Sequence, residues 1–265
     1  MYRARLSGML SGASGPNFSM WEYIFMKKNI TVFLFLLTLT MCFFALNARS
    51  ESLDKSFEKA IEEGNKGRFV KARKILKPLA KQGHAKAQAT LGSLYMNGDG
   101  VSVDYHKAYK WFKLAADQNV ALAQYNLGLM YNMGHGVAEN QKTAVSWFRL
   151  AANQGYAVAQ FNIGTSYLKG RGVDQDYSVA YNWYTKSAAQ GFSRAQFNLG
   201  WMHYKGLGIP LDVNRAYMWW DISAQQGDLK AKGNLTEITK DMTSDDLLIA
   251  KKLARECTEK KYISC

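Results

Sequence analysis

The chain has 265 residues, 48% of them apolar, only three prolines, and a formal charge of +13. That excludes a chain too small to bury a core, and so little proline suits a helical protein. Length alone would allow one or two domains, but an internal repeat overrides that prior.

Residues 1–25 fit neither a targeting signal nor a repeat, and read as a disordered upstream extension with Met26 as the true start. Residues 26–50, "MKKNITVFLFLLTLTMCFFALNARS", open with two lysines and continue in an apolar run over 30–46. Small or polar residues follow, with Ala48 and Ser50 as candidate cleavage positions, which is the layout of a secretory signal peptide. The run falls slightly short of the ~20 residues of a membrane span. The alternative is an uncleaved inner-membrane anchor made by residues 30–46. Cys42 follows Met41 rather than a small residue, so lipidation is not expected there. An exported location, periplasmic or secreted, makes a nucleic-acid partner unexpected.

Residues 51–87 read as a degenerate first repeat. From Lys66 to Lys86 there are eight basic residues and no acid, including Lys66, Arg68, Lys71, Arg73, Lys74 and Lys77. Such a patch could attract an acidic partner, an anionic surface or a polyanion, or could be the solvated face of the first helix pair.

Residues 88–231 repeat with a period of 36 and no insertion. Gly92, Gly128, Gly164 and Gly200 match, as do Trp111, Trp147, Trp183 and Trp219. Each copy divides into two helices. In the first, "AQYNLGLMYNMG", Ala123, Leu127 and Tyr131 make one stripe. A glycine inside a helix is disfavoured by about 1 kcal/mol relative to Ala, so Gly128 at a fixed phase points to close helix approach. Gly134 and Gly136 suit a left-handed helix end. Asp104, Asn140, Asp176 and Asp212 share a phase and are good N-cap residues. In the second helix Ala144, Trp147, Phe148, Ala151 and Ala152 alternate small with large. Gly155, Gly191 and Gly227 end that helix, and Asn119 takes their place in the first copy. One such pair cannot bury its own apolar faces, so copies must stack and the ends must be capped.

Residues 232–265 supply the C-terminal cap. Thr243 or Ser244 opens a last helix whose apolar stripe is Leu247, Ala250, Leu253, Ala254 and Cys257. In an exported chain Cys257 and Cys265 would pair and staple the tail onto this cap; two unpaired thiols are the alternative.

Catalytic patterns are weak. Ser52–Lys55, Ser56–Lys59 and Ser166–Lys169 match an S-x-x-K spacing, but the companion elements of penicillin-recognising enzymes are missing. His84, His106, His135 and His203 lie at least 22 residues apart, so no paired-histidine metal motif exists. No cofactor, metal or small-molecule substrate is expected, and the chain reads as a non-enzyme and a monomer. An enzyme-like binder of cell-wall or β-lactam ligands is the alternative.

The segment "AQYNLGLMYNMGHGVAENQKTAVSWFRLAANQG" resembles a Sel1-like repeat, a relative of the tetratricopeptide repeat, and the resemblance covers residues 52–231. It implies an all-α fold: a right-handed α-solenoid of antiparallel helix pairs, whose first helices line a concave face, with the capping helix at its C-terminal end. It also implies a scaffold or adaptor that binds a protein or peptide. Exported bacterial relatives are associated with envelope regulation and host interaction. Carrying the tetratricopeptide pattern over, the groove would include Tyr125, Leu129, Asn132, Thr165, Leu168, Lys169, Trp201, Tyr204 and Lys205; Tyr125 could instead fill the core. Trp201 and Tyr204 have no matching aromatics in the other copies. The tyrosine phase of Tyr95, Tyr131 and Tyr167 becomes His203 in the last copy, an altered surface or packing.

Overall fold

The computed structural model describes residues 28, 40, 41, 50–263 and 265. The upstream extension, the signal or anchor segment and Cys42 therefore lie outside the described residues, apart from Lys28, Thr40, Met41 and Ser50. The chain divides into two compact units, residues 1–55 and 56–265. In the first, the described residues are helical.

The second unit begins with helical residues 56–65 (α1) and continues through α2 (Phe69–Lys81), α3 (Ala85–Asn97), α4 (Tyr105–Asp117), α5 (Ala121–Met133), α6 (Gln141–Asn153), α7 (Ala157–Lys169), α8 (Tyr177–Ala188), α9 (Ser193–Lys205), α10 (Val213–Gln225), α11 (Leu229–Ile238) and α12 (Ser244–Glu259). No strand occurs among the described residues. From α2 to α11 each helix packs on the next in sequence, so these helices form an all-α solenoid.

The caps set the helix starts. Asp104, Asn140, Asp176 and Asp212 each accept a hydrogen bond from the backbone N–H three residues on, at 2.9 Å. This satisfies an N–H that has no intrahelical partner. At the other end of the second helices Asn119, Gly155, Gly191 and Gly227 all have positive φ.

The helical glycines make room for rings rather than for a neighbouring backbone. A Cβ on Gly92, Gly128, Gly164 or Gly200 would lie 2.5 to 2.9 Å from the buried ring of Phe112, Phe148, Tyr184 or Trp220. The tryptophans one residue earlier are less enclosed: Trp111, Trp147 and Trp183 are half-buried, and only Trp219 is buried. A loop glycine does a second job. A Cβ on Gly172 would lie 2.4 Å from the Gln141 carbonyl oxygen, because the loop after α7 rests on the start of α6.

A glutamine ladder ties each pair together. The Nε2 groups of Gln118, Gln154, Gln190 and Gln226 donate to the Oε1 atoms of Gln88, Gln124, Gln160 and Gln196 at 2.6 to 2.8 Å. Gln88, Gln160 and Gln196 pass the chain on to the carbonyls of Ala80, Ala152 and Ala188. Buried polar groups are tolerated when partnered in this way.

The last helix departs from the repeat. In the repeats the first and second helices are joined by seven residues containing two glycines, as in 134–140; α11 and α12 are joined by 239–243, with none. The shorter link lays α12 against α10. Thr243 closes a capping box with Asp246 at its start. Ala254 and Cys257 then share a buried cluster with Met218, Trp219 and Ile222. Leu114 and Leu150, which occupy the Ile222 phase in earlier copies, stay exposed.

Candidate functional site: the first-helix face of the solenoid

The structure brings three of the predicted groove residues together. Trp201, Tyr204 and Lys205 lie on consecutive turns of α9, which the helical spacing of three and four places on one face. The Trp201 and Tyr204 rings have centroids 6.1 Å apart. The Lys205 ammonium sits 5.1 Å from the Trp201 ring centre and 4.7 Å from that of Tyr204, within cation–π range. Tyr204 in turn leans on the buried Trp220 at 5.4 Å, which holds the pair from below. Trp201 remains 40% exposed.

The other predicted groove residues do not join this cluster. Tyr125 is half-buried and packs on Phe148 and Tyr156. Burial pushes its hydroxyl pKa up, against a hydrogen bond from the Asn162 side chain. Leu129 is half-buried against the cluster containing Phe148 and Ile163. The Thr165 hydroxyl is 3.0 Å from both the Tyr184 hydroxyl and the Phe161 carbonyl. Leu168 packs against the cluster around Tyr184 and Leu199. Asn132 is half-buried and its carbonyl accepts from Gln141. Lys169 is exposed at the end of α7.

His203 alters packing rather than surface. It is only 5% exposed, its Nε2 lies 3.5 Å from the Tyr181 hydroxyl, and its Nδ1 is buried without a hydrogen-bond partner. Burial pushes its pKa down to about 4; Asp212 acts against this shift and Arg215 adds to it. Arg215 also donates to the Cys265 carbonyl. Cys257 and Cys265 form a disulfide, and a Cβ on Gly191 would meet the Tyr262 ring at 3.4 Å, so the stapled tail folds back over α8 and α10.

The basic stretch is partly neutralised by α1. Glu62 pairs with Lys66, while Glu63 holds Arg68 at 3.3 Å and Lys71 at 3.1 Å. The Lys71 hydrogen bond, against the desolvation of this buried side chain, keeps the Glu63 carboxyl below the ordinary range. Lys74 and Lys77 are exposed, and Arg73 is half-buried. Arg68, Lys71 and Lys74 border an open hollow of about 400 Å³.

Two more open clefts, of about 730 and 470 Å³, adjoin at Lys142, Gly172 and Val173, and no predicted groove residue lines them. No cluster of three or more His, Cys, Asp or Glu able to hold a metal occurs among the described residues. Ser166 is buried and its hydroxyl donates to the Asn162 carbonyl at 3.1 Å, while Lys169 points to solvent. No described helix is long and apolar enough to cross a membrane.

One set of residues on this face went unmarked in the sequence. Asn126, Asn162, Asn198 and Asn234 recur at the 36-residue period on the first helices. The Asn162 and Asn198 side chains hold the Tyr125 and Tyr184 hydroxyls. Their signal was the period itself.

Stacked helix pairs with a capped end and an exposed aromatic cluster on one helix set define a repeat scaffold of the α-solenoid class. The chain belongs to the Sel1 repeat family: its model matches four consecutive units, residues 85–120, 121–156, 157–192 and 193–228, more than half of the chain. Each unit is one of the pairs α3–α4, α5–α6, α7–α8 and α9–α10. Among solved structures the chain is similar to c5321, a protective antigen of uropathogenic Escherichia coli with an SLR fold. The two are 36% identical with a TM-score of 0.68, over 72% of this chain and 42% of that one. It is also similar to a Sel1 repeat protein from Oxalobacter formigenes, with 36% identity and a TM-score of 0.60, over 64% of this chain and 50% of that one. The chain thus spans half or less of the length of these relatives. No curated protein matches it.

Proposed function

We propose that this protein is a non-catalytic scaffold of the bacterial envelope that binds a protein or peptide partner on the face of its first helices. The observation that carries this reading is the Trp201–Tyr204–Lys205 cluster, an exposed Trp201 beside a half-buried Tyr204, both within reach of the Lys205 cation and braced on Trp220. Aromatic side chains bury large areas with few rotamers, which is why they dominate binding hot spots.

The proposed location is outside the cytoplasm, periplasmic or secreted, with residues 26–50 as the export signal. The disulfide supports an oxidising compartment. The description of one relative as a protective antigen agrees with export. In this reading residues 51–87 are the degenerate first repeat, 88–231 the four-repeat core and 232–265 the cap with its stapled tail.

The test is crosslinking in the native envelope followed by mass spectrometry, comparing the natural chain with Trp201→Ala/Tyr204→Ala. Loss of a specific crosslinked protein is expected. Unchanged capture would remove the groove assignment.

A further inference from the structure

We propose that the face built by α3, α5, α7 and α9 receives an extended peptide rich in acidic residues. This rests on the reading above that the first helices bind the partner.

These four helices contain no Asp or Glu at all. The carboxylates of the same repeats stand on the second helices and the loops: Asp117 and Asp221 on α4 and α10, Asp99 and Asp174 in the loops after α3 and α7, Asp104, Glu139, Asp176 and Asp212 before the second helices, and Asp228 before α11. The first helices carry Lys86, Lys169, Arg194 and Lys205, all exposed. None of these four enters an ion pair among the described residues, whereas Lys66, Lys71, Lys107 and Lys113 do. Lys86 and Arg194 stand at the second position of α3 and α9, Lys169 and Lys205 at the last position of α7 and α9, and α5 carries no cation, so the charge lies at the helix ends, where carboxylates of a partner would find it without a competing acid on the same helix.

The adjacent first helices α7 and α9 both carry exposed cations, Lys169 on one and Arg194 and Lys205 on the other, so a bound chain running across them would meet cations at more than one repeat. Apolar contacts are interspersed: Leu122, Met133 and Trp201 are exposed on the first helices. A phosphate backbone has no use for Leu122 and Met133. Apolar side chains of a peptide do, and its Asp and Glu fit the cations.

The test uses the full chain and three fluorescein-labelled peptides in which Leu follows pairs of Glu, pairs of Ser or pairs of Lys, together with a labelled oligothymidine. Binding is read by anisotropy. The Glu peptide is expected to bind, to weaken about tenfold in Arg194→Glu/Lys205→Glu, and to weaken as salt shortens the screening length. Lys74→Glu/Lys77→Glu on α2 should leave it unchanged. If charge reversal unfolds the chain, Arg194→Gln/Lys205→Gln is read instead, with a loss of about threefold. The inference is overturned if the Ser peptide binds as well as the Glu peptide, if the oligothymidine binds more tightly, if the loss appears in the α2 variant instead, or if no peptide binds. A Ser peptide that binds and is lost only in Trp201→Ala/Tyr204→Ala would sink the acidic preference and leave the groove standing.

Discussion

A Cβ built on Gly128 would lie 2.5 Å from two ring carbons of Phe148, so the bare backbone of α5 is the seat of the α6 ring. The ring is buried and has nowhere to yield. Gly128→Ala gains about 1 kcal/mol of helix propensity and loses roughly 1–3 kcal/mol to overpacking. Net destabilisation is expected in urea unfolding, and adding Phe148→Leu should recover part of it. Gly233 is the control: it is helical, with nothing within 4 Å of its Cβ position. Gly233→Ala should stabilise the chain by up to about 1 kcal/mol.

Gln160→Ala would strip a partner from both the Ala152 carbonyl and the Gln190 amide. The Ala152 carbonyl keeps the Gly155 N–H at 3.0 Å and Gln190 is exposed, so the loss is that of ordinary hydrogen bonds, about 0.5–1.5 kcal/mol each. A lower denaturant midpoint is expected, with faster amide hydrogen exchange around residues 152–160. No change in midpoint would show that water fills the gap freely.

His203 makes stability depend on pH. Its folded pKa, about 4, lies below its unfolded value near 6.5, so between these values the unfolded chain binds more protons. The contribution is fully present above the unfolded value and is lost as pH falls toward 4. Its ceiling is about 3 kcal/mol. Thermal melts from pH 7.5 to 4.5 should show a falling Tm, and His203→Tyr, which restores the residue of the other repeats, should flatten that slope.

Reducing the Cys257–Cys265 bridge opens a short loop that tethers the tail beside Arg215 and Tyr262. Loop-closure entropy for nine residues is worth about 2–3 kcal/mol. Cys257→Ser/Cys265→Ser should lower the melting temperature to that of the reduced natural chain, and fluorescence should report Trp219 becoming more exposed.

Much of the fold was legible because the repeat writes it several times over. Asn140 as a cap, Gly155 as a helix end and Ala123 as core each recur at one phase, so four copies vote on every assignment. The candidate site was legible only where the vote breaks. Trp201 stands out against Ser93, Leu129 and Thr165 at its phase, and Tyr204 against Met96, Asn132 and Leu168, and the structure sets the two rings side by side. Tyr125, Leu129, Thr165 and Leu168 are placed by pattern alone, and packing leaves each of them half-buried. Helical phase fixes which residues share a face, but not how far the next repeat reaches over them.

The sequence by itself determined the helix pairs, their caps, the period and the last helix. These follow from local chemistry: hydrogen-bond capping, left-handed ends and 3.6-residue periodicity. Only the tertiary structure decided that Gly128 seats a ring, that Glu62 and Glu63 neutralise part of the basic stretch, that α12 turns back onto α10, and that His203 is sealed in. Each of these depends on which distant side chain arrives at a position, and a repeat pattern fixes the positions without fixing the arrivals.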